Sequence, residues 1–199
     1  MKKFKIPLIV ILVIVGIISC LAFYQKIFKE TPENIMTRFK KIKSYTCDVE
    51  YTIKNPRGTT VQKAVLKSEG QGNVTLKFND GRIFKYSDKD IVLSNENTKE
   101  KFTLSKEFDK FYKLSFIENI RELFLLNGEN LKVNYNQEKN LGYLEAEYQL
   151  YDNNKELSKC RLYISTKDSK PVEMIIFDDT GDERIKVNYS NFAMSKVVR

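Results

Sequence analysis

The chain is 199 residues long and carries 34 lysines and arginines against 26 aspartates and glutamates, with no histidine, for a formal charge of +8. Without histidine there is no Ser-His-Asp or Cys-His arrangement and no HExxH zinc site. The basic excess is scattered rather than gathered into a stripe interleaved with aromatics, so no nucleic-acid partner is expected.

The first segment, MKKFKIPLIVILVIVGIISC, sets Lys2, Lys3 and Lys5 before an uncharged apolar run from Ile6 to Ile18, the pattern of a secretory signal. Ile17-Ile18-Ser19-Cys20 resembles the lipobox of bacterial lipoproteins, which implies cleavage before Cys20 and its acylation. A second reading stands beside it. Ile6 to Tyr24 is uncharged and as a helix would reach roughly 28 Å, enough to span a bilayer unmodified. Either way the bulk of the chain faces outward from the cytoplasm, because the lysines lie at the cytoplasmic end. Residues 1–19 are thus expected to be a signal peptide or anchor, 20–30 a short tether, and 31–199 a single domain carrying about +5.

Thr31-Pro32-Glu33 is expected to open a helix, with Ile35, Phe39 and Ile42 at helical spacing and Lys40, Lys41 and Lys43 on a solvated end. Alternation then predicts strands through Tyr45–Ile53, Val61–Leu66, Val74–Phe78, Ile83–Tyr86, Ile91–Leu93 and Phe102–Leu104. Asn55-Pro56-Arg57-Gly58 and Asn79-Asp80-Gly81 have hairpin-turn chemistry. One helix interrupts the strands. Ser115-Phe116-Ile117-Glu118 reads as a capping box and Gly128 as the C-terminal αL cap, and seven apolar residues between Phe116 and Leu126 predict a buried helix. That helix either fills the core or lines a greasy concavity. Strands resume at Leu131–Tyr135, Leu144–Tyr151, Leu157–Ser165, Val172–Asp178 and Glu183–Tyr189, with turns at Asp152-Asn153-Asn154 and Thr180-Gly181.

Chemistry-bearing residues are sparse. Asp178, Asp179, Asp182 and Glu183 cluster around Thr180-Gly181, where a solvated turn is expected; a weak cation site or a carboxylate-only enzyme is the alternative. The spacing lacks the order of a calcium loop, and no glycine-rich phosphate loop occurs, so neither cofactor nor metal site is expected. Cys47 and Cys160 read as small core residues on apolar strand faces, with a disulfide between them as the alternative.

A helix, a run of hairpin strands, an inserted apolar helix and a closing meander are the order of the LolA/LolB-like lipoprotein fold. The likeness is carried by Ser44-Tyr45-Thr46-Cys47-Asp48-Val49 after the first helix, and by Lys170-Pro171-Val172-Glu173-Met174-Ile175-Ile176-Phe177-Asp178-Asp179-Thr180-Gly181 with Val187-Asn188-Tyr189-Ser190-Asn191-Phe192 at the end. It implies an α+β fold: a large antiparallel sheet, an incomplete barrel, wrapped around helices and an apolar cavity. With its lipobox, length and Lys/Asn-rich composition the chain resembles the GerS-type germination lipoproteins of Gram-positive spore formers. That resemblance implies a non-catalytic protein between the forespore membranes, held there by a lipid anchor, which binds and activates a CwlD-type N-acetylmuramoyl-L-alanine amidase of the spore cortex. A lipid or lipoprotein carrier using the cavity is the alternative. Free sheet edges also make a homodimer by strand exchange conceivable.

Overall fold

The computed structural model describes residues 31–70, 72–128, 132–136, 142–150 and 154–194. Helix α1 (Pro32–Lys40) leads into β1 (Tyr45–Asn55), β2 (Gly58–Gly70), β3 (Asn73–Phe78), β4 (Arg82–Tyr86), β5 (Asp90–Asn95) and β6 (Lys101–Ser105). Two short 3-10 turns, Lys106–Phe108 and Tyr112–Ser115, precede helix α2 (Ile117–Asn127). The chain then returns as β7 (Lys132–Asn136), β8 (Tyr143–Gln149), β9 (Lys159–Ser165), β10 (Pro171–Phe177) and β11 (Glu183–Met194).

The eleven strands among the described residues join one sheet in the order β6-β5-β4-β3-β2-β1-β11-β10-β9-β8-β7. Every recorded pairing is antiparallel, so the sheet is two meanders fused where the first strand meets the last. It stays open, with β6 and β7 as its edges. This is the large open antiparallel sheet of an α+β fold that the sequence order implies. Strict alternation in β1 (Tyr45, Cys47, Val49, Tyr51 buried) assigns an inner face, because a period of two sends successive side chains to opposite sides. α1 contributes Ile35 and Phe39 to that face, and α2 contributes Ile117, Ile120 and Phe124, all within one core. Apolar surface that the sheet cannot bury alone is thereby covered.

The outer face explains the scattered charge. Lys63 pairs with Glu50 at 3.0 Å across β2 and β1, Lys186 with Glu173 at 2.6 Å across β11 and β10, and Arg161 with Glu145 at 3.2 Å and Glu147 at 3.0 Å across β9 and β8. Cross-strand pairs of opposite charge such as these hold neighbouring outer-face side chains together.

Four expectations change. β11 runs on to Met194 instead of ending near Tyr189: an extra residue is accommodated where the register with β1 shifts, and beyond it Phe192 stacks on Tyr45 at 5.2 Å. Asn191 takes φ 49° in this bulge and donates to Asp48 at 2.6 Å. The capping box does not form, since the N-cap of α2 is Phe116 and Ser115 closes the preceding 3-10 turn. Gly128 does cap the helix, with φ 44° and ψ −112°, outside the αL well. Finally, α2 is not buried all round: Leu125 is 76% and Leu126 67% exposed. The Asp152-Asn153 part of one expected turn lies outside the described residues.

Candidate interaction surface

Placement of α2 depends on tyrosines from the centre of the sheet. Tyr45 accepts the Ile117 amide N–H at 3.1 Å and donates to Glu118 at 3.3 Å, so a strand hydroxyl replaces the absent cap. Glu118 also accepts from Ser68 on β2. Ser115 lies 2.9 Å from the Tyr51 hydroxyl and donates to the Tyr112 carbonyl at 2.7 Å, while Tyr189 donates to the Ser115 carbonyl at 2.8 Å. Burial holds the phenols of Tyr45, Tyr51 and Tyr189 protonated well above their usual range. They act as fixed hydrogen-bonding struts rather than as acids. At the other end Asn127 is buried, donating to the carbonyls of Leu123 at 2.8 Å and Gln149 at 3.1 Å and accepting from the Gln149 amide at 3.0 Å.

The segment before α2 is a strap over the inner face. Asp109 accepts from the amides of Phe111, Tyr112 and Lys113 at 2.8, 2.9 and 2.9 Å, and from the Tyr86 hydroxyl at 2.8 Å. Tyr112 is thereby set 5.2 Å from both Tyr51 and Phe78, edge to face, with its hydroxyl on Gln62 at 2.7 Å.

Open apolar space lies beside α2. A groove of about 210 Å³ is lined by Leu114, Leu123, Leu126, Leu150 and Leu157, with Lys110, Lys113, Asn119, Glu122 and Asn154 around them. Leu125 stands exposed on the same helix. Contiguous apolar surface with a polar rim is what binding sites for apolar side chains look like. A second hollow of about 170 Å³ lies between the strap and β4 to β6, lined by Phe84, Tyr86, Ile91, Leu93, Leu104 and Phe108.

The residues singled out in the sequence fare differently. Cys20 and the whole leader lie outside the described residues. Cys47 and Cys160 are both free and buried. They sit on β1 and β9 with two strands between them, and the register sets Cys160 in line with Ile53 rather than with Cys47, beyond disulfide reach. Burial pushes each thiol up to about 12, so neither should react with an alkylating reagent at pH 8 until the protein is unfolded, a result thiol counting with and without denaturant would read directly.

Asp178 differs from the solvated turn residue expected. It is 5% exposed and accepts from the Thr180 hydroxyl at 2.7 Å, the amides of Thr180 and Asp182 at 3.0 and 2.8 Å, and Arg184 Nε at 2.7 Å. The carboxylate is consumed in holding the turn. These bonds, with the Thr180 hydroxyl foremost, lower its pKa to about 2. A carboxyl whose folded value lies below its unfolded value stabilises above the unfolded pKa near 3.8 and loses that contribution as pH falls toward 2. Asp178→Asn should therefore flatten the stability loss in that window, measured by denaturant midpoints at pH 5, 4, 3 and 2. No cluster of three metal-ligating side chains occurs among the described residues. No helix among them is long and apolar enough to cross a membrane.

An open antiparallel sheet, two inner helices and an exposed leucine groove are what the described residues build. Two solved structures share the fold. An uncharacterized conserved protein from Thermus thermophilus superposes with TM-score 0.54 at 10% identity, covering 82% of this chain and 87% of that one. A structure of the CwlD amidase from Clostridioides difficile in complex with the GerS lipoprotein contains a match with TM-score 0.50 at 18% identity, covering 82% and 93%. A LolA superfamily protein from Nitrosomonas europaea is 12% identical with TM-score 0.41, covering 83% and 94%. No curated protein sequence matches the chain. The family model described as sporulation protein YdcC-like matches residues 2–199, and the chain belongs to that family.

The sequence reading named no interface residues. The one available signal was the surplus of leucine on α2: Ile117, Ile120, Phe124 and Asn127 already make one buried stripe at helical spacing, leaving Leu123 and Leu126 for the flank that lines the groove and Leu125 exposed elsewhere on the helix.

Proposed function

We propose that this protein is an exported, membrane-held, non-catalytic partner of a spore-cortex N-acetylmuramoyl-L-alanine amidase of the CwlD type, and that its binding activates the enzyme. The observation that carries the reading is membership of a sporulation family joined to a fold shared with a chain of the CwlD–GerS complex. The leucine groove beside α2 is the surface assigned to the contact, since it offers apolar side chains but no assembled chemistry. In this reading residues 1–19 are a signal peptide, Cys20 is acylated, residues 20–30 tether the domain, and 31–199 form one domain at the lipid surface. Intact-mass measurement of the membrane form distinguishes acylated Cys20 from an unmodified anchor.

Affinity capture of the full chain from sporulating cells tests the partnership. Recovery of the amidase supports it, and its absence when the amidase is present in the lysate contradicts it. A second reading, a lipid or lipoprotein carrier, is favoured by the groove's leucine lining. It predicts lipid co-purifying with the protein in native mass spectrometry.

A further inference from the structure

β6 ends the sheet with its inner apolar rows unfinished. Register carries one row from Phe84 through Leu93 to Phe102 and another from Tyr86 through Ile91 to Leu104. Tyr86 and Ile91 are buried, yet Phe102 is 61% and Leu104 40% exposed, and every residue of β6 is exposed. Core pattern thus continues past the cover that the strap supplies.

The edge is also open along its backbone. Asn95 donates to the Glu100 carbonyl and Lys106 donates to the Lys89 carbonyl, which directs the even-numbered residues from 100 to 106 toward β5. Antiparallel alternation then turns the N–H and C=O groups of Lys101, Thr103 and Ser105 away from the sheet. Such an edge is a template for another strand.

The sequence of this edge complements itself. Pairing β6 antiparallel with β6 of a second copy, with Thr103 on the twofold axis, sets Phe102 opposite Leu104, Lys101 opposite Ser105, and Glu100 opposite Lys106. Neither Glu100 nor Lys106 forms an ion pair among the described residues. Register is fixed by the same residues: moving the axis two positions one way sets Leu104 against Lys106, and the other way sets Phe102 against Glu100. Only the Thr103-centred register joins apolar to apolar and opposite to opposite charge. It also lets the outward groups of Lys101, Thr103 and Ser105 bond reciprocally, as an isologous interface requires.

We propose that two copies of this protein pair edge to edge through β6 about a twofold axis at Thr103, extending the sheet across the dimer without exchange of any strand. The pairing leaves the α2 groove of each copy open, so the inference stands independently of the amidase reading.

Disulfide trapping of the full chain in membranes tests it. In an antiparallel hydrogen-bonded pair the two Thr103 Cα atoms lie about 5.5 Å apart, within disulfide reach. Thr103→Cys should give an oxidant-dependent covalent dimer several-fold above the parent chain. Lys85→Cys, exposed on the same cross-strand row two strands in, should stay at the parent level. Charge reversal is the second arm. Glu100→Lys or Lys106→Glu, each made in the Thr103→Cys background, should lower the trapped dimer several-fold, because each places like charges opposite one another twice across the axis. Combining the two should restore it. The proposal is overturned if Thr103→Cys traps no more dimer than the parent, if the combined reversal fails to recover, or if the introduced thiol traps another protein instead of a second copy.

Discussion

Phe124→Ala is expected to destabilise the protein by roughly 3–5 kcal/mol, the range for deleting a buried aromatic ring. The ring is 2% exposed and lies 5.9 Å from Phe39 of α1 and 5.0 Å, edge to face, from Tyr148 of β8. It is therefore the point where both helices and the second meander meet. Relaxation around the vacated space is limited because Ile120 and Asn127 fix the same face of α2. For a domain of this size the thermal midpoint should fall by roughly 10 °C. Phe124→Leu keeps most of the volume and should cost about 1 kcal/mol. Thermal melts followed by circular dichroism would read both. A loss below about 1 kcal/mol for the alanine variant would mean that α2 is held by its termini alone.

Asp109→Ala should cost about 2–4 kcal/mol, a large effect for a partly exposed loop residue. Its carboxylate receives four donors, three of them consecutive strap amides, and hydrogen bonds to a charged group contribute about 1.5–3 kcal/mol each without adding fully. Removal also strands the hydroxyl of Tyr86, which is 3% exposed. With the strap released, Tyr112 loses its place among Tyr51, Phe78 and Phe84, and the groove loses the wall made by Lys110, Lys113 and Leu114. Asp109→Asn keeps an acceptor oxygen and should fall between the wild type and alanine. Urea midpoints measure the stability, and partner binding by the same variants should fall in the same order.

The sheet was legible because one of its faces is buried. Tyr45, Cys47, Val49 and Tyr51 alternate with Thr46, Asp48 and Glu50 for the simple reason that one row meets the helices and the other meets water. Boundaries were less visible where geometry is irregular, as at the bulge that carries β11 past Tyr189. Local rules failed where distant residues intervened. Ser115 and Glu118 have the spacing of a capping box, but Tyr51, Tyr189, Tyr45 and Ser68 engage them first. The candidate surface was hidden for a related reason: Leu114, Leu123, Leu150 and Leu157 come from separate segments, and only the tertiary fold brings them together. Counting apolar residues on α2 gave a buried helix, whereas dividing them by face gives a core stripe and an exposed one.

In the proposed function this protein activates an amidase by binding it through the α2 surface. The most direct test measures amidase activity of the CwlD-type enzyme from the same cells, alone, with the full chain, and with a full-chain variant carrying Leu125→Asp and Leu126→Asp. Both leucines are exposed, so the variant should fold and keep its melting temperature. The full chain should raise activity and the folded variant should not. Activity unchanged by the full chain contradicts the proposed function, and equal activation by the variant contradicts the surface assigned to it.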